Sequence, residues 1–95
     1  MKEQEFRDWL FDQKYKKNTC LDKISNCKKV ERTLGDLDIH YSKDKGESIL
    51  FTLSYSKEDI NYEPVPIKGN MRNGLATLRC SVRRYMRFRE ETSLR

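Results

Sequence analysis

Asp36–Ser56, DLDIHYSKDKGESILFTLSYS, is the stretch on which the fold turns. With a period of two, Leu37, Ile39 and Tyr41 alternate, KDKGE makes a turn, and Ile49, Phe51, Leu53 and Tyr55 alternate again. That pattern is a β-hairpin over 37–55. With a period near 3.6, the same residues make a short helix near 36–42 and another near 45–55. In that case Asp44 caps the second helix, Glu47 completes a capping box, and Ile49, Leu50 and Leu53 face the core. Periodicity alone favours the strands by a narrow margin.

Downstream, Asn70–Arg89 (NMRNGLATLRCSVRRYMRFR) is plainly helical. Leu75, Leu78, Val82, Tyr85 and Phe88 recur at steps of three and four, which places them on one helical face. Arg72, Arg79, Arg83 and Arg87 fall on another face, and the segment holds six arginines and no acid. A helix meant only to be soluble gains from acid–base pairs four residues apart, and this one forgoes them. The competing reading is a solvated arginine face. Guanidinium groups meet phosphate through two parallel hydrogen bonds, which suits such a ridge to an anionic polymer.

Upstream, residues 2–14 predict a helix with Phe6, Trp9 and Leu10 as its apolar stripe and Trp9 as a core anchor. A polar break at Lys16-Lys17-Asn18-Thr19 leads to a second helix ending near Leu34, with Asn18 or Thr19 as its cap. Cys20, Ile24, Cys27, Val30 and Leu34 make its buried stripe, Leu21 flanks it, and Gly35 supplies the left-handed residue that ends it. Residues 57–69 form a connector, because Pro64 and Pro66 do not fit one regular element. Ile60, Val65 or Ile67 of that strap is expected to tuck against the core.

Ninety-five residues make at most one domain with a modest core. The net charge of +5 is unevenly spread: residues 1–34 carry +3, residues 35–63 carry −4, and residues 64–95 carry +6. A basic pole beside an acidic belt orients the domain on an anionic polymer. No apolar run approaches the roughly 20 residues of a membrane span, and the first residues lack a signal-peptide layout. The expected location is cytoplasmic. Three cysteines are an odd number, so no disulfide framework is implied, and His40 has no partner at metal-ligand spacing. No metal, cofactor, catalytic residue or enzymatic activity is expected, because no nucleophile sits beside a base and no Gly-rich phosphate loop occurs.

FRDWL, NTCLDKISNCKKVERTLGDLD and NGLATLRCSVRRYMRF together resemble a known module. They are similar to the N-terminal core-binding (SAM-like) domain of tyrosine recombinases. They also resemble related N-terminal helical segments of bacterial restriction-type and mobile-element proteins. The resemblance is carried by Phe6-Arg7-Asp8-Trp9-Leu10, by Asn18-Thr19, and by Ala76, Leu78, Arg79, Tyr85 and Phe88. It implies an all-α bundle of four to five helices over residues 1–95, an N-terminal module of a larger protein, and so helices rather than a hairpin at 37–55. The sequence departs from that pattern in its Pro-Val-Pro strap and in the acids Asp36, Asp38, Asp44 and Glu47. The recombinase catalytic set is absent, so Tyr85 is not expected to be a nucleophile.

The expected function is a DNA-binding accessory module for duplex DNA of low intrinsic specificity, acting with a nuclease or recombinase. Arg79, Arg83 and Arg87 are the main expected phosphate contacts, joined by Arg72, Arg84, Lys28, Lys29, Lys14, Lys16 and Lys17. Asn18, Thr19 and Asn73 lie where exposed N–H groups at helix starts can hold a phosphate. The second reading is a protein-interaction or dimerisation module whose arginine face docks an acidic partner, including a homodimer.

Overall fold

A computed structural model describes residues 1–54, 65 and 71–93. They form five helices: α1 (Glu3–Asp12), α2 (Lys17–Leu34), α3 (Leu37–Asp44), α4 (Glu47–Thr52) and α5 (Met71–Ser93). No strand occurs among the described residues, so the chain is all-α and the hairpin reading of the middle third is overturned. The local reason is capping. The Asp36 carboxylate accepts the Asp38 N–H at 2.8 Å at the head of α3. Asp44 accepts the N–H groups of Gly46 and Ser48, both at 3.1 Å. It does so from the last residue of α3, while Gly46 is the N-cap of α4. Lys45 and Gly46 turn the chain with φ of 59° and 84°. The period-two pattern misled because two of its apolar residues never reach the core: Ile39 is 68% exposed and Phe51 82% exposed. Leu37, Ile49 and Leu53 are buried, and Leu50 packs at the edge.

The expected stripes are the core. Phe6, Trp9 and Leu10 come from α1, Cys20, Ile24, Cys27 and Val30 from α2, and Leu75, Leu78, Val82, Tyr85 and Phe88 from α5. Val65, the described residue of the strap, is buried with them, whereas Ile60, Ile67, Pro64 and Pro66 lie outside the described residues. Phe6, Trp9, Tyr85 and Phe88 form one aromatic cluster, with the Phe6 ring edge-on to Tyr85 at 5.0 Å and 85°. α5 touches each of the other four helices and is the axis of the bundle. Cys27 and Cys20 are free thiols inside it, and burial pushes both above the ordinary thiol range.

Two expectations about α2 change. Its N-cap is Lys16, with no side-chain cap bond, so Asn18 and Thr19 sit inside the first turn instead of capping it. Gly35 does have a positive φ, 95°, but its ψ of 178° is extended rather than left-handed helical. The α2 end is held instead by His40, whose Nε2 lies 2.7 Å from the Leu34 carbonyl and so carries the proton.

The acids ahead of and within α3 close the bundle internally. The Met1 ammonium lies 3.0 Å from Glu31, 3.3 Å from Asp36 and 3.4 Å from Asp38. Burial alone lowers the pKa of that amine, but hydrogen bonds to Glu31 and Asp36 outweigh it and leave the group above its ordinary 8.0. Asp36 is held below the usual carboxylate range, first by the Asp38 N–H, and Asp44 by Ser48. Depressed carboxylates add stability that is full above their ordinary values and lost as pH falls through the folded ones. A raised amine adds stability that is full below 8.0 and lost as pH rises through its folded value. Thermal melts across pH should therefore give a plateau that falls away on both sides, below about pH 4 and above about pH 8. A melting temperature that keeps rising from pH 8 to pH 10 would remove the amine from this account.

Candidate nucleic-acid interface

The arginine ridge is where its spacing places it. Four-residue steps return to nearly the same face of a helix, about 6 Å farther along it. Arg83 and Arg87 are therefore neighbours on the outer side of α5, and both are exposed, as is Arg72 near its start. Arg79 is half-buried at one margin of the ridge and Arg84 at the other. Exposed Ala76 and Cys80 lie between them. Among the described residues no carboxylate is within salt-bridge distance of Arg72, Arg79, Arg83 or Arg84, whereas Arg87 is 3.8 Å from Glu91.

α2 flanks one side of this ridge. Lys23 Nζ lies 3.4 Å from Cys80 Sγ, and the Asn26 amide donates to Ser81 Oγ at 3.1 Å. The Arg84 guanidinium sits over the Tyr15 ring at 5.6 Å, which ties α5 to the turn between α1 and α2. Lys14 and Lys16 of that turn and Lys17 at the start of α2 are exposed, so the structure brings this lysine cluster up to the Arg84 margin. Lys23 joins the group by its approach to Cys80, a contact with no local sequence signal because the two are 57 residues apart. Asn18 is exposed and Thr19 half-buried in the first turn of α2, and Asn73 is exposed in the first turn of α5.

Two of the expected phosphate contacts, Lys28 and Lys29, stand apart from the ridge. Lys28 is paired with Glu3 of α1, so its charge is partly met within the chain. Lys29 is half-buried on α2. Arg89, the sixth arginine of the segment, faces inward: it is 3.4 Å from Asp38 and lies 5.1 Å above the Tyr41 ring.

Lys14 holds φ of 67°, a left-handed conformation that costs a side-chain-bearing residue about 1–2 kcal/mol. Glycine would relieve that strain at the price of extra chain entropy. Lys14→Gly should therefore leave the melting temperature level or slightly raised, while removing a cation beside the Arg84 margin. A clear loss of stability in a thermal melt would show that the Lys14 side chain supports the turn.

Among the described residues, no helix is long and apolar enough to cross a membrane, and no group of His, Cys, Asp and Glu could hold a metal ion. No family model, no curated protein and no solved structure matches the chain.

Proposed function

We propose that this chain is a nucleic-acid-binding accessory module that grips the phosphate backbone of duplex DNA and works beside a nuclease or recombinase. The observation that carries the reading is the outer face of α5, where Arg72, Arg79 and Arg83 have no carboxylate partner among the described residues. The lysines of the α1–α2 turn, adjoining it through Arg84 and Tyr15, extend the same positive surface. The resemblance to the SAM-like core-binding domain of tyrosine recombinases and to bacterial restriction-type and mobile-element segments supports the choice of DNA. The acids at 36 and 38 do not argue against DNA, because they are already engaged by Met1, Tyr85 and Arg89.

Each neutralised phosphate releases condensed counterions, so affinity for a duplex should fall steeply as salt rises. A Lys28→Ala variant should bind nearly as the parent does, since Glu3 already pairs that lysine. Removing Arg79, Arg83 and Arg87 together should weaken binding at least about tenfold and flatten the salt dependence. Fluorescence anisotropy with a labelled duplex measures both, with circular dichroism as the check on folding. Undiminished binding by the folded triple variant would end the proposal. The rival reading, an arginine face that docks an acidic protein, expects no DNA affinity at any salt concentration.

A further inference from the structure

Beyond the basic ridge, α1 carries a stripe of the opposite sign. Glu5, Asp8 and Asp12 are exposed on one face at steps of three and four, and none has a base within ion-pair distance among the described residues. A depression of about 250 Å³ between this stripe and the end of α5 is lined by Glu5, Asp8, Trp9, Asp12, Phe88 and Thr92, and it adjoins one of about 300 Å³ at whose far end stand Lys2 and Arg89.

The stripe is locally unfavourable. Asp8 and Asp12 are like charges four residues apart, which destabilises an isolated helix. Asp12 is also the last residue of α1, where the helix dipole favours a cation, and no base occupies that last turn. The arginine ridge has the mirror-image problem, with like charges at 79, 83 and 87. The two stripes also match in length. Residues 5 to 12 span about 10 Å of helix and residues 79 to 87 about 12 Å. The ridge cannot fold onto its own groove, because Phe88 lies two and a half turns from Arg79, on the opposite side of α5.

We propose that the α1–α5 groove docks the α5 arginine ridge of a second copy of this chain, head to tail. Arginine stems would lie against the Trp9–Phe88 lining, and their guanidinium groups would meet Glu5, Asp8 and Asp12. Because the two surfaces differ, the contact is heterologous, and copies add head to tail into a row or a ring. A charge-led contact of this small extent sits at the weak end, with dissociation constants of about micromolar to millimolar. The inference does not depend on the DNA reading, although DNA on the ridge would displace a neighbouring copy.

Sedimentation velocity on the full chain, over a concentration series at about 20 mM and about 300 mM salt, tests it. The expected result is association beyond dimers at low salt that disperses at high salt. Glu5→Gln/Asp8→Asn/Asp12→Asn and Arg79→Gln/Arg83→Gln/Arg87→Gln should each be monomeric, since all six side chains lie on the surface or at its margin. Mixed in equal amounts, they should form a one-to-one pair that grows no further, because one keeps the ridge and the other the groove. A monomeric parent chain at low salt would overturn the proposal without recourse to any variant. So would an acid-neutralised variant that associates like the parent, or a mixture that forms no pair.

Discussion

Tyr85→Ala is expected to lower stability by about 3–5 kcal/mol, the usual range for deleting a large buried aromatic side chain. That is most of what a domain of this size has in hand. The ring is fully buried, edge-on to Phe6 at 5.0 Å and tilted against Phe88 at 5.4 Å. The hydroxyl does separate work. It donates to Asp38 Oδ1 at 2.6 Å and accepts the Lys2 N–H at 2.7 Å, joining α5 to the approach to α1 and to the head of α3. Burial first, and the Asp38 carboxylate second, push the phenol well above its ordinary 10.0, so it stays protonated and donating through the working pH range. Tyr85→Phe keeps the ring and leaves Asp38 and the Lys2 N–H each one partner short. Its expected cost is about 1–3 kcal/mol, the desolvation penalty of an orphaned group. For fewer than about 100 residues each 1 kcal/mol moves the melting temperature by about 4–8 °C, so thermal melts resolve the two variants. If the hydroxyl acts through Asp38, Tyr85→Phe and Asp38→Asn will be non-additive in a double-mutant cycle. Strict additivity would mean that the pair contributes no coupling.

Tyr85 also shows where sequence reasoning reaches and where it stops. Its place in the apolar stripe was legible, because a stripe is a local property of one helix and α5 has the clearest one in the chain. The same holds for Trp9 and for the α2 stripe of Cys20, Ile24, Cys27 and Val30. The hydroxyl's partner, 47 residues away, left no local trace. The middle third was ambiguous for a different reason. Ile39 and Phe51 are apolar but exposed, and they complete an alternation that has nothing to do with burial. The capping acids Asp36 and Asp44 were the better evidence there. At the candidate interface the arginine spacing gave the ridge, but not which cations remain available. Arg89 belongs to the same run and looks alike in sequence, yet it is turned to Asp38 and Tyr41. Lys28 is paired by Glu3 across two helices, and Lys23 approaches the ridge unannounced. Charge runs are local, whereas the carboxylates that neutralise them are placed by the fold.

Gly46→Ala should be the costliest small substitution outside the aromatic cluster, at about 2–3 kcal/mol, and Gly46→Val should cost more. Two effects add. Gly46 has φ of 84°, where a Cβ costs about 1–2 kcal/mol, partly offset by the lower entropy of the unfolded alanine chain. A Cβ built there would also lie 2.7 Å from Met86 Cγ and Sδ and 2.9 Å from Cε, so the α5 side chain must move. Overpacking of that kind typically costs about 1–3 kcal/mol, and the flexible methionine keeps it toward the low end. The neighbouring residue separates the two. Lys45 sits at φ of 59° with a full side chain, so left-handed backbone alone does not require glycine in this turn. What singles out Gly46 is the approach of Met86 of α5. Met86→Ala should therefore recover the steric part of the Gly46→Ala loss and leave the backbone part, a coupling that urea titrations of the two single variants and the double variant would measure. Lys45→Gly should be level or slightly stabilising. If Met86→Ala restores nothing, the close approach of α4 to α5 is not what fixes glycine at this position, and backbone conformation alone must account for it.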